Sequence, residues 1–399
     1  MTEWTGYKRP DGRIGIRNNL LVVYLVECSK FVAEKISQNF DHNVQVVGFG
    51  GCYPNEHAHR VLTQICTHPN VGACLLISLG CECYNRQDLE SAINNSGRPV
   101  KTLVIQESGG TKKSIEEGRA WVSKTVKDLE QQPKVSMQIK DLVIGTICGG
   151  SDGTSGISAN PAVGVAFDKL IEEGAIAMFE ETGELIGCEE ALYKRASDKD
   201  VRAQLQESMI KAASYYKTMG HGSFSVGNAE GGLTTQEEKS LGAYCKSGSS
   251  PISGVIKPGQ VPDRSGLYLL DVVSDGEVRF GFPNINDSSE ITELIACGCH
   301  LILFTTGKGS VVGSAVSPVV KVCANPETFR KMSDDMDVNA GRFLEENCSI
   351  EDIGNEIFEK VLSVSSGSPS LSEELGHQEF VLLYKQFDLQ SQPSCHPAS

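Results

Sequence analysis

Several stretches of this chain are apolar almost without a break. Leu20 to Val26 reads LLVVYLV, Ala73 to Leu79 reads ACLLISL, and Leu301 to Phe304 reads LILF. A strand with apolar side chains at consecutive positions has both faces covered, which is the situation inside a parallel sheet flanked by helices. Shorter runs of the same kind lie at Val44–Val47, Lys101–Ile105, Ala175–Phe179 and Leu267–Val272. Between them fall helical patterns at 31–40, 60–67, 111–129, 167–172 and 291–296. Strand and helix in alternation predict βαβ units with right-handed crossovers. The fold class is therefore α/β. A Rossmann-like parallel domain is expected over 1–133, and a second α/β domain with long glycine-rich loops over 134–389. The polar segment Gln131 to Ser136 (QQPKVS) marks the boundary, and the polar end, 390–399, reads as a disordered tail.

In sheets of this kind, ligands collect beyond the carboxyl ends of the strands. Chemistry-bearing residues concentrate at those places. Cys28, Cys52 and Cys81 follow three successive strands, which suggests a shared metal or redox role, although their spacing is not that of a structural zinc site. The stretch Ile147 to Gly164, ICGGSDGTSGISANPAVG, follows the short apolar run Asp141–Gly145 and gathers five glycines and four hydroxyl residues. Glycine lets the main chain approach a ligand, and successive amides can form an anion-binding nest. Cys148, Ser151 and Asp152 stand beside that nest. The segment 180–192, EETGELIGCEEAL, reads as the solvated face of a helix, with Glu181 set apart just past a strand end. Residues 220–250 are polar and glycine-rich and read as a long functional loop or lid, carrying His221, Asn228, Glu230 and Lys239. A last glycine loop, 305–314, carries Lys308 but lacks the full phosphate-loop spacing.

Composition narrows the class of partner. A formal net charge of -15 argues against nucleic acid or an anionic membrane surface. No run approaches the roughly eighteen apolar residues a membrane span needs, and the polar start lacks a secretory core. A cytoplasmic protein with reduced thiols is expected, so most of the 14 cysteines, Cys66, Cys74 and Cys323 among them, read as small core residues.

Taken together, GYKRPDGRIGIRNN (6–19), GGC ending at Cys52, THPNVGACLLISLGCE (67–82), CGGSDGTSGISANPAVG (148–164), GGLTTQEEKSLG (231–242) and TTGKG (305–309) are a long ordered set. In them the chain resembles the altronate and galactarate dehydratase family, which also takes in the large subunit of sulfolactate sulfo-lyase. The resemblance implies a lyase acting on a small 2-hydroxy acid, with iron (a ferrous ion or an iron–sulfur cluster) or another divalent metal. It also implies a small β-rich domain supplied by a separate subunit, and an oligomer. HGSFSVGNAEGGLTT (221–235) and KGSVVGSAVSPVVKVCANP (308–326) look closer to the sulfo-lyase subunit.

Either substrate asks for the same chemistry. A base takes the proton α to the carboxylate, the β-substituent leaves as water or sulfite, and an enol collapses to a 2-keto acid. Lys239 or His221 is expected as base, with Glu181 and Asp152 as further catalytic groups. Gly149, Gly150, Ser151, Gly307, Lys308 and Arg17 are expected to hold the anionic end, although Arg17 fits a structural ion pair equally well. Cys52, Cys81 and Cys148, with Cys28 as a fourth, are expected to hold iron; for a mononuclear ion the ligands become Asp152, Glu181, Glu82 and His57. Two other readings compete: a nucleotide-binding or redox α/β protein, and a non-catalytic partner subunit. The absence of GxGxxG after the first strand counts against the former.

Overall fold

A computed structural model describes residues 3–40, 43–180, 182–220, 222–275 and 285–385. The chain opens with two short strands, β1 (Trp4–Lys8) and β2 (Ile14–Gly15), and then builds a four-stranded sheet from β3 (Asn19–Tyr24), β4 (Val44–Gly48), β5 (Val71–Ser78) and β6 (Val100–Val104). Helices α1 (Glu27–Ser37), α2 (Glu56–Cys66), α3 (Arg86–Asn95) and α4 (Thr111–Glu130) alternate with these strands. The order is β4-β3-β5-β6, all parallel. β7 (Lys134–Met137) then returns to pair antiparallel with β1, forming the small sheet β2-β1-β7.

The second, larger sheet has seven parallel strands in the order β10-β11-β9-β8-β12-β13-β14. They are β8 (Val143–Cys148), β9 (Ile176–Phe179), β10 (Ile252–Ile256), β11 (Gly266–Leu270), β12 (Leu301–Thr306), β13 (Val319–Cys323) and β14 (Val338–Asn339). Its helices are α5 (Ala159–Glu172), α6 (Glu189–Lys194), α7 (Lys199–Met219), α8 (Val226–Glu230), α9 (Gln236–Cys245), α10 (Asp287–Ala296), α11 (Pro326–Lys331), α12 (Ile350–Ser365) and α13 (Leu371–Glu374). The α/β class and the parallel sheets are as the apolar runs imply, because β5 and β12 are buried at every residue. Cys66, Cys74 and Cys323 are buried with them.

The two sheets share a core. One apolar cluster joins Leu21, Leu62 and Leu76 of the first unit to Ile147, Ile291, Leu294 and Phe304 of the second. Burying side chains of this size stabilises by roughly 1.5–3 kcal/mol each.

Three local expectations are overturned. Residues 220–250 are not one long loop: Ser225 caps α8 and Thr235 caps α9, each accepting a backbone N–H with its hydroxyl. The glycine stretch 147–164 is shorter than its composition suggests, since β8 runs on to Cys148 and α5 already starts at Ala159. Residues 182–187 are turn, Glu180, Thr182 and Leu185 are buried, and helix begins only at Glu189, so the segment is no continuous solvated helix face. The 390–399 tail lies outside the described residues.

Candidate active site

In the larger sheet the chain leaves β8 toward β9 on one side and β12 toward β13 on the other. The crevice between the carboxyl ends of β8 and β12 is therefore the topological switch point, the usual ligand site of such a sheet. The loops after these strands are joined by backbone bonds. Gly149 donates to the Thr305 carbonyl at 3.0 Å, and Gly307 and Lys308 donate to the Gly150 carbonyl at 3.2 and 2.9 Å. The amides of Gly149 and Gly307, expected to receive an anion, are thus committed to the scaffold. Those of Gly150 and Ser151 find no acceptor among the described residues and stand at the edge of a cavity.

That cavity measures about 500 Å³, and Cys148, Ser151, Glu184, Lys239, Asp287 and Glu290 bring its chemistry. Lys239 stands in α9, placed by the Thr235 cap, with its side chain 9% exposed. Its Nζ donates to the Ser223 carbonyl and hydroxyl and lies 3.4 Å from Glu184 Oε1. Asp287 and Glu290 occupy the first turn of α10, whose cap is Asn286. Burial, and after it the Glu184 charge, pushes the Asp287 carboxyl up to about 6 against the pull of Lys239. Burial and Glu184 push Glu290 well above the usual carboxylate range. The tyrosine of α7 that lines the cavity, Tyr216, has its hydroxyl pushed up by burial and by Glu184.

Asp152 is placed differently from expectation. It is 3% exposed, and one carboxylate oxygen accepts from the Thr154 amide at 2.9 Å and hydroxyl at 2.6 Å, while the other accepts from Asn325 Nδ2 at 2.9 Å. A side chain on Gly307 would meet Asp152 Oδ1 at 2.1 Å, so the close approach requires glycine there. Asp152 therefore ties loops together and is a positioning residue. Lys308 leans outward to the Gly227 carbonyl at 3.2 Å and to Glu230 at 3.5 Å. Asn228 holds the Ser151 carbonyl at 2.8 Å.

Arg17 does not serve as an anion partner. Its guanidinium makes a two-pronged pair with Glu373, at 2.7 and 2.9 Å, and donates to the carbonyls of Ile16, Val364 and Ser368. Glu181 and His221 lie outside the described residues.

The expected iron ligands do not fit. Cys28, Cys52 and Cys81 are exposed on the first unit, whereas Cys148 is half-buried in the cavity. Among the described residues no three His, Cys, Asp or Glu side chains gather as ligands of one ion. The described members of the mononuclear set, Asp152, Glu82 and His57, are scattered as well. His57 lies buried 3.4 Å from Glu293, Glu82 accepts from the Gly80 amide at 2.8 Å, and Asp152 is committed as described.

Sequence reasoning missed Glu184, Asp287 and Glu290. The signal for Glu290 was present: it opens the apolar run EITELIA, and a glutamate carried into a core by such a helix needs either a partner or a task.

Comparison with known proteins agrees with this architecture. Residues 6–130 match the second domain of D-galactarate dehydratase/altronate hydrolase, and residues 139–387 match the C-terminal domain of D-galactarate/altronate dehydratase. The chain is 33% identical to the (2R)-sulfolactate sulfo-lyase subunit beta of Chromohalobacter salexigens, across 94% of this chain and 96% of that one. It is 32% identical to altronate dehydratase of Bacillus subtilis, across 91% and 73%, and 31% identical to galactarate dehydratase of Escherichia coli, across 91% and 72%. The chain belongs to the galactarate/altronate dehydratase family of lyases.

Proposed function

We propose that this protein is a lyase that eliminates a β-substituent from a small 2-hydroxy acid to give a 2-keto acid. The observation that carries the reading is the cavity at the β8–β12 switch point. It sets Lys239, partnered by Glu184, opposite a loop that offers two uncommitted amides. The amides of Gly150 and Ser151 receive the substrate carboxylate. Lys239, in its neutral form, takes the proton from the carbon bearing that carboxylate, and Glu184 steadies the ammonium that forms. Charge developing on the carboxylate is met by the amides, which are already in place and need no reorganisation.

The names of the relatives supply the substrate range to be assayed: a sugar acid of the altronate or galactarate type, or sulfolactate. Because one of those relatives is named as a subunit, we read this chain as the large partner of a second polypeptide within an oligomer, working in the cytoplasm. The strand order of the first unit, second-first-third-fourth, is that of a doubly wound parallel sheet, the wider class within which we read that domain as Rossmann-like. Incubation with each acid, followed by detection of the 2-keto acid, tests the proposal. The native chain releases keto acid from at least one of them. Lys239→Ala slows release by roughly 10²–10⁴-fold, the usual worth of a general base. Undiminished turnover by that variant removes Lys239 from the mechanism.

A further inference from the structure

Expelling hydroxide and expelling sulfite make opposite demands on a site. Hydroxide is strongly basic and departs only as water, so a proton has to reach the β-oxygen as the C–O bond breaks. Sulfite is the anion of a far stronger acid and departs without that help. Whether the cavity holds a proton donor therefore bears on what leaves.

α10 supplies the relevant groups. Asp287 and Glu290 are three residues apart in its first turn, hence on one face, and both line the cavity. Glu290 is 7% exposed, and its carboxyl makes no hydrogen bond and no ion pair among the described residues. An ionised carboxylate that deep would need a cation or several donors. Among the described residues, the charged groups around it offer neither. They are Glu184 from the segment after β9, Asp287 and Glu293 from its own helix, and Lys385 from the C-terminal segment, with Tyr216 of α7 nearby. Lys385 is committed to Glu293 at 2.8 Å, and Lys239 is engaged by Glu184 and Ser223. Two or more crowded carboxyl groups cannot all ionise, so a proton stays among them. The push on Glu290, upward through burial and Glu184, agrees.

We propose that Glu290 is the acid of the reaction, delivering its proton to a hydroxyl leaving group at C3. The inference rests on the lyase reading above. Lys239 removes the C2 proton, and that electron pair forms the C2–C3 double bond. The C3–O bond breaks with its electrons on oxygen, and the oxygen takes the Glu290 proton and departs as water. The enol becomes the 2-keto acid. The Lys239 ammonium then loses one proton and the Glu290 carboxylate gains one, so the cycle closes without an oxidant or reductant.

The test is Glu290→Gln, which keeps the shape of the protonated acid. It is assayed on altronate, on the 3-fluoro analogue whose fluoride leaves unassisted, and for exchange of the C2 proton in deuterium oxide. The expected result is a loss of roughly 10²–10⁴-fold on altronate, fluoride release within about tenfold of the native rate, and continued C2 exchange. Equal loss on both leaving groups, or full dehydration by the variant, overturns the role of Glu290. A native enzyme that neither exchanges C2 nor releases any 2-keto acid defeats the lyase reading itself, and this inference with it.

Discussion

Asp152 shows how a residue can sit in the most chemistry-laden stretch of a chain and still act only through others. Its carboxylate accepts hydrogen bonds from Thr154, Ser155 and Asn325, which fix it between the loops. Asp152→Ala strips these buried donors of their partner, at about 1 kcal/mol or more each. A fall of several degrees in the thermal midpoint is expected together with lost turnover. A variant that keeps its midpoint but loses turnover would instead make Asp152 catalytic. Asp287 has the opposite electrostatic character. Its folded pKa, about 6, lies above the 3.8 usual for an aspartate, so the folded state binds more protons between those values. Its contribution is then unfavourable at neutral pH and is relieved as pH falls through 6 toward 4. Asp287→Asn is expected to raise the thermal midpoint at pH 8 and to lose that advantage by about pH 4. No difference at pH 8 would show that the carboxyl is not under strain.

At the scale of elements, parallel strands were the most legible part of the chain, because a strand buried on both faces carries an uninterrupted apolar run. Helices with a large polar share were not: α7 spans 21 residues and α12 spans 16, and neither announced itself. Residues 220–250 misled through their glycines, although Thr235 with Glu238 three positions on was a readable helix start. The cysteines misled for a topological reason. Strand ends are visible in a sequence, but not which sheet each strand joins, and Cys148 ends a strand of a different sheet from those preceding Cys28, Cys52 and Cys81. It follows that anaerobic preparations should contain no acid-labile sulfide; stoichiometric sulfide would mean that the loops rearrange to bring those thiols together. Lys239 depends on α9 keeping its place against α5. There Gly242 lies so near Gly156 that an added Cβ would stand 2.9 Å from the Gly156 Cα. Gly242→Ala is expected to cost about 1–3 kcal/mol through this overpacking, seen as a lower midpoint and reduced turnover. An unchanged midpoint would mean that the helices separate without cost.

Across the whole molecule, the two sheets are held by their shared apolar cluster and by buried histidine contacts. His300 accepts from the Val143 amide at 3.0 Å and reaches the Ile14 carbonyl at 2.8 Å, which ties the opening strands to the larger sheet while the ring stays neutral. Burial lowers its pKa from 6.5 to about 4. Below pH 6.5 the unfolded chain takes up a proton that the folded one refuses, so stability falls as pH drops toward 4. The loss attributable to this ring approaches roughly 3 kcal/mol. Chemical denaturation at pH 7 and pH 4.5 measures the slope, and His300→Gln should flatten it.

The clasp between β1 and β7 joins what the two family matches divide. Residues 134–137 fall between the two family matches, which end at 130 and resume at 139, yet they pair with residues 4–7 at the far end of the chain. The stretch that looks like a spacer is a seam, sewn shut by the first strand. Two polypeptides cut after residue 133 would leave β1 on one fragment and its partner strand on the other. Such fragments would have to recognise each other in order to complete either one, as split reporters do.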